Sequence, residues 1–232
     1  MTVQAIRRIN WLLGRYENPK YLEIGVSHGK TFLEIEAAQK VAVDPKFQFD
    51  MPAPQEGVSF HQMTSDEYFE RHAGNDIFDV IFLDGLHVFE QTMRDFCNSL
   101  THIHQNSIIV IDDTVPCDPY SALRDQREAV QRRLQQGGNN RDWHGDIYKV
   151  VMMIHDFFPD FSYATVMGDG NPQTVVWRGT RNLRPSFSSI EGISRASYFD
   201  FLQKFELINP KSTEDLKVLF GEREDPEKQH AG

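Results

Sequence analysis

Cysteine is nearly missing: Cys97 and Cys117 are the two present in 232 residues, and they form no C-x-x-C pair. Two such cysteines cannot build a disulfide framework, which fits a reducing compartment and leads us to expect a cytoplasmic protein. Long apolar runs are missing too, and nothing approaches the ~20 residues that span a bilayer. At the amino terminus Val3, Ile6, Ile9, Leu12 and Leu13 are spaced around Arg7 and Arg8. This reads as an amphipathic helix packed on the body, not as a signal peptide. Positive charge is scarce, with 24 Lys and Arg against 34 Asp and Glu and a net charge of -10. Such a surface repels phosphate backbones, so neither nucleic acid nor membrane is an expected partner. Arg124, Arg127, Arg132 and Arg133 read as a solvated helix face. No internal repeat is visible.

What the chain does have is alternation. Short apolar runs at 21–26, 40–44, 58–63, 79–84 and 107–113 are near-continuous in Val, Ile, Leu and Phe. That is how strands covered on both faces read. Helices are expected between them at 31–39, 64–73 and 87–102, and further on at 120–136 and 146–157. Thr64 or Ser65, followed by Asp66 and Glu67, is a sound helix start. Segments 161–167 and 174–178 flank Gly168-Asp169-Gly170-Asn171-Pro172, a strong hairpin signal. The expectation is one α/β unit with a mainly parallel sheet ending in an antiparallel hairpin. A helix at 190–205 and a charged, frayed tail at 222–230 complete it. The division expected is an amino-terminal helix over 1–20, a main domain over 21–180 and a carboxy-terminal extension over 181–232.

In open α/β sheets ligands sit beyond the carboxyl ends of the strands. Acids collect there: Glu23, Asp44, Asp66, Asp84, Asp112 and Asp113. Carboxylates on one sheet edge repel one another, and a cationic ligand or divalent metal would offset that. The loop Gly25-Val26-Ser27-His28-Gly29-Lys30-Thr31 turns a strand toward a helix. It lacks the G-x-G-x-x-G of dinucleotide sites, and Glu23 would repel a pyrophosphate. Gly29-Lys30-Thr31 keeps a P-loop in view, one residue short of the usual spacing. S-adenosylmethionine has no phosphate and carries a sulfonium cation, so it tolerates these acids, with Asp44 placed to accept ribose hydroxyls.

Glu23-Ile24-Gly25-Val26-x-x-Gly29-x-Thr31, Val43-Asp44, the run from Asp79 to Asp84 with Gly85 and His87, and Ile109-Val110-Ile111-Asp112-Asp113 together resemble class I S-adenosylmethionine-dependent methyltransferases. The branch they are most similar to holds the catechol and macrocin-type O-methyltransferases. The resemblance covers about residues 21–114. It implies a Rossmann-like fold, a mostly parallel seven-stranded sheet with an antiparallel last strand.

By position the resemblance also implies roles. Gly25 and Gly29 would line the cofactor, with Glu23 beside them, Thr31 at its carboxylate end and Asp44 at the ribose. Ser65 and Asp66 fall where the family contacts adenine, and Asp84 borders the same space. Asp84, Asp112 and Asp113 fall where catechol-type enzymes hold magnesium; those have an amide third, whereas macrocin-type relatives have a second Asp. The departures are Asp113 and His87, which stands where catechol-type enzymes place a lysine base.

Three carboxylates make a hard oxygen site suited to Mg²⁺, Mn²⁺ or Ca²⁺. A metal there would acidify an acceptor hydroxyl, and His87 could take the proton. His28 and His144 are reserve bases, His102 and His104 read as surface residues, and Trp143 and Tyr120 are candidates for the acceptor site. The expected partner is a small hydroxylated molecule, with a homodimer possible. A P-loop-like nucleotide protein and a non-methylating, hydroxylase-like or binding member of the fold stay open.

Overall fold

The computed structural model describes residues 2–168, 170–187 and 189–221. In chain order the elements are α1 (Thr2–Leu13), β1 (Lys20–Ile24), β2 (Gln39–Val43), β3 (Val58–His61), α2 (Ser65–Arg71), β4 (Phe78–Leu83), α3 (Phe89–Ser99) and β5 (Ile103–Ile111). Then follow α4 (Gln126–Gln135), α5 (Tyr148–Phe157), β6 (Phe161–Val166), β7 (Gln173–Arg178), α6 (Ile190–Ser194), α7 (Tyr198–Gln203), β8 (Pro210–Lys211) and α8 (Thr213–Leu219).

The sheet order is β3-β2-β1-β4-β5-β7-β6-β8. β3 through β5 run parallel, and β7 enters antiparallel between β5 and β6. The mostly parallel α/β sheet closing in an antiparallel hairpin is therefore present. It has eight strands, not seven, because the two-residue β8 pairs in parallel with β6 at the edge.

Strand alternation sorts the core into two layers. Leu22, Ile24, Ile81, Leu83, Ile109 and Ile111 face the layer that holds Phe96, Val150 and Ile154 of α3 and α5. Tyr21, Val80, Phe82, Ile108 and Val110 face the layer that holds Ile9, Leu12 and Leu13 of α1 and Leu216 of α8.

The expected helix at 31–39 is absent; a single 3-10 turn at Phe32–Glu34 stands there. Asn10 of α1 and Lys40, the residue that follows the segment, hold it in another shape. The Asn10 amide donates to the Glu34 carbonyl at 3.1 Å and accepts from Glu36 N–H at 2.9 Å. Lys40 Nζ donates to the carbonyls of Phe32 and Ile35 at 2.9 and 3.0 Å. With no helix in the loop from Asp44 to β3 either, aromatic rings cover that face: Phe32, Phe47 and Phe49 pack around Phe60.

Other boundaries also differ. The helix expected at 120–136 begins at Gln126, capped by Asp125, whose carboxylate accepts from Glu128 N–H at 2.7 Å. The one expected at 190–205 is broken, because Ser197 and Asp200 form a capping box that starts α7 afresh. The tail at 222–230 lies outside the described residues. No helix among the described residues is long and apolar enough to cross a membrane.

Candidate active site

β1 ends in the glycine loop, which takes positive φ at Gly25 (+89°), Ser27 (+49°) and Gly29 (+72°). A side chain at Gly25 would strike the Asp84 carbonyl, so this glycine lets the ends of β1 and β4 meet. Asp44 holds the loop in shape. Its Oδ2 accepts from Val26 and Ser27 N–H at 2.9 and 2.8 Å, and Oδ1 accepts from Lys46 N–H at 2.7 Å.

Beyond the strand ends lies a cleft of 550 Å³ whose lining includes Gly25, Thr31, Asp84, His87, Asp113 and Trp143. Asp112 and His28 border it as well. His144 and Lys30 line it too, whereas Glu23, Gly29, Ser65 and Asp66 lie elsewhere. Glu23 is buried on the α1 face, where Tyr21 Oη donates to it at 2.5 Å. Burial first, then Asp84 and Asp112, push its carboxyl well above the usual range. Gly29 packs against Phe49 and Leu33. Ser65 and Asp66 accept from Gln91 Nε2 at 3.2 and 3.3 Å, and Asp66 pairs with Arg94 at 2.7 Å.

His87 sits between two carboxylates. Its Nε2 is 3.5 Å from Asp84 Oδ1, and its Nδ1 is 3.1 Å from Asp113 Oδ2. Nδ1 is also 2.9 Å from the Trp143 carbonyl. A carbonyl can only accept, so Nδ1 carries a proton and Nε2 is the nitrogen free to exchange one. The ring stacks on Trp143 with centroids 4.9 Å apart and an interplanar angle of 24°.

Neither Asp84 nor His87 caps the following helix. The Phe89 N–H of α3 is taken at 2.8 Å by Asp146, which also binds Arg124 and Lys149.

Charge is concentrated here. Burial and the neighbouring acid raise Asp84 and Asp112 to about 7. Burial and Asp84 raise Asp113 to about 6, against the pull of His87. Burial alone would lower His87, but Asp84 and Asp113 outweigh it and lift it to about 9.

Asp84, His87 and Asp113 offer ligand atoms within 4.8 Å of one another, a set that could hold a metal ion. Asp112 is engaged differently: its Oδ1 accepts from Asp113 N–H at 2.9 Å and from Asn171 Nδ2 at 2.7 Å. Asn171 Nδ2 also donates to Asp113 Oδ1.

Sequence reading marked Asn171 only as a turn residue, although it is the amide that ties the two acids together. Gly145, in the 142–146 stretch that the resemblance places near the acceptor pocket, turns at φ +61° against the His87 carbonyl where a side chain could not fit. The glycine and asparagine of those turns were visible, but nothing local says what they face. His102, expected at the surface, is buried with Nδ1 2.8 Å from the Asp76 carbonyl. Arg133, expected on a solvated face, is 3% exposed and paired with Asp118 at 2.8 Å.

Residues 22–114 match a family model described as a methyltransferase domain. No curated protein matches the chain. Among solved structures, cofactor-bound Rv0187 from MTB is similar at a TM-score of 0.55 and 14% identity, over 78% of this chain and 82% of its own. The O-methyltransferase TomG from Streptomyces achromogenes, involved in tomaymycin synthesis and solved with S-adenosylmethionine, gives 0.50 and 14%, over 77% and 81%. An O-methyltransferase from Bacillus cereus in complex with S-adenosylhomocysteine gives 0.50 and 12%, over 77% and 82%. At these identities the structural likeness speaks for the fold, and the match over 22–114 speaks for the domain. Over residues 22–114 the chain is thus similar to a methyltransferase domain, on a fold that these solved structures share.

Proposed function

We propose that the chain methylates a hydroxyl of a small-molecule acceptor from S-adenosylmethionine, assisted by a divalent ion. The observation that carries this reading is one cleft shared by the glycine loop and the Asp84–His87–Asp113 cluster. S-adenosylmethionine, when bound, supplies a methyl group on a sulfonium, open to in-line displacement by oxygen.

The residues fit both groups. Gly25 and Thr31 leave an open wall, and the acids opposite suit a sulfonium. Asp84 and Asp113, raised by burial and mutual repulsion, have the surplus negative charge that a cation would relieve. A divalent ion held by them, with Asp112 behind, would lower the pKa of an acceptor hydroxyl. Mg²⁺ and Mn²⁺ both suit the oxygen donors.

His87 is the base. The Trp143 carbonyl fixes its tautomer, the stacked indole fixes its plane, and Nε2 receives the proton beside Asp84. Asp44 acts through the loop, because the N–H groups it holds set where Gly25 and Ser27 lie. Those same bonds count against a phosphate-cradling loop, since the N–H groups of Val26 and Ser27 already face a carboxylate.

The test is a library of hydroxylated compounds with labelled S-adenosylmethionine, with and without EDTA. Transfer should stop on chelation and return with Mn²⁺ or Mg²⁺. Transfer that survives exhaustive chelation would remove the metal from the mechanism.

A further inference from the structure

We propose that the acceptor bears an anionic group, a carboxylate or a phosphate, which Arg141 binds at the mouth of the cleft. This rests on the methyl-transfer reading and adds the substrate class. Two cations line the cleft, Lys30 on the glycine loop and Arg141 on the opposite loop. Among the described residues neither side chain makes a hydrogen bond or an ion pair.

Their neighbours differ. Arg124 pairs with Glu90 and Asp146, Arg132 with Glu128, and Arg133 with Asp118. Arg141 is left over at the cleft, in a chain whose net charge is -10. A solvated loop arginine would need no support, yet this one has it on both sides. Arg133 is 3% exposed and grips Asp118 through Nε and Nη2, each at 2.8 Å. Its remaining Nη1 donates to the Asp142 carbonyl at 2.8 Å and the Asn140 carbonyl at 3.5 Å. Further along, His144 and Gly145 N–H both donate to the Ser121 carbonyl, at 3.0 and 2.9 Å. A buried, ion-paired arginine thus fixes the backbone either side of Arg141.

The placement is on the acceptor side. Two residues on, Trp143 stacks against His87. In the proposed function the floor of the cleft, Asp84, Asp112 and Asp113, is taken up by a divalent ion and the acceptor hydroxyl, which leaves Arg141 as the cation for a second group. A negative acceptor would therefore direct its charge outward and its hydroxyl inward, the orientation methyl transfer requires. A guanidinium meets a carboxylate or phosphate with two parallel hydrogen bonds, which fixes that orientation. Local cations also offset the repulsion of an acidic surface for an anionic substrate.

The experiment titrates the protein, with and without S-adenosylhomocysteine, with benzoate, phenyl phosphate and neutral benzamide. At least one anion should bind about tenfold or more tighter than benzamide, the scale of hydrogen bonds to a charged group. Which of the two binds separates carboxylate from phosphate acceptors. Arg141→Ala should erase the difference, Arg141→Lys should keep part of it, and S-adenosylhomocysteine affinity should hold in both. Equal binding of all three probes overturns the proposal, as does an anion preference that survives Arg141→Ala. So does an Arg141→Ala protein that loses S-adenosylhomocysteine affinity while 5′-methylthioadenosine, which lacks the carboxylate, binds unchanged. Failure of the methyl-transfer reading shows separately, as wild-type protein that does not bind S-adenosylhomocysteine.

Discussion

His87→Ala should lower kcat by about 10²–10⁴-fold, the contribution of a positioned general base, while S-adenosylhomocysteine affinity stays nearly unchanged. The imidazole is held from three sides, by Asp84, Asp113 and the Trp143 ring. Its Nδ1 is committed to the Trp143 carbonyl, which leaves Nε2 for proton exchange. Removing the ring deletes the proton acceptor and leaves the glycine loop untouched. Because the ring also packs on Trp143, His87→Gln belongs beside the alanine variant: it fills much of the space and cannot act as a base at neutral pH. If both fold, bind divalent ions as before and keep near-normal kcat, the base is elsewhere, with His144 the nearest candidate. Loss of metal affinity in His87→Ala would instead make the imidazole a ligand.

The metal-free protein should lose thermal stability as pH rises from about 5 to 9, and a divalent cation should restore it. The sign follows from where each proton sits. Asp84, Asp112 and Asp113 are raised in the folded state, so that state binds more protons than the unfolded chain. Stability is lost as pH climbs from the ordinary carboxylate range through about 6 to 7. His87 is raised to about 9, so its contribution is complete below its unfolded value near 6.5 and disappears as pH passes about 9. Both effects point the same way. A fall of about 5 °C or more in melting temperature is the expected scale for a chain of this length. Mn²⁺ should raise the melting temperature far more at pH 8.5 than at pH 5.5, because its carboxylate ligands must first lose their protons. Asp113→Asn should flatten both trends. A melting temperature that is flat or rising over this range, in EDTA, would contradict the charge arrangement described for the cluster.

Some of this was readable from residues alone, for a physical reason. Strands buried on both faces need apolar runs, so β1, β4 and β5 announce themselves, and an acid directly after such a run marks the sheet's carboxyl edge. Asp84, Asp112 and Asp113 could therefore be placed on one edge before any coordinates. Segment 31–39 misled because its composition suits a helix, whereas Asn10 and Lys40 hold its backbone in another shape. Asn10 lies in another element, and no local pattern encodes it. Arg133 misled in the same way, since a run of arginines looks solvated until Asp118 is folded against it. Asn171 looked like turn chemistry, and only the hairpin's return beside β5 brings it onto the two acids. Long-range pairing decides those positions, and local composition does not carry it.

Calorimetry with S-adenosylhomocysteine and with ATP tests the central claim most directly, since every role assigned to the cleft presumes the first ligand. S-adenosylhomocysteine should bind, ATP should not, and Asp44→Ala should cost about 1.5–3 kcal/mol of that affinity through the loop N–H groups it releases. Measurable ATP affinity with no response to S-adenosylhomocysteine would contradict the account and return Gly29-Lys30-Thr31 to the reading of a phosphate-binding loop.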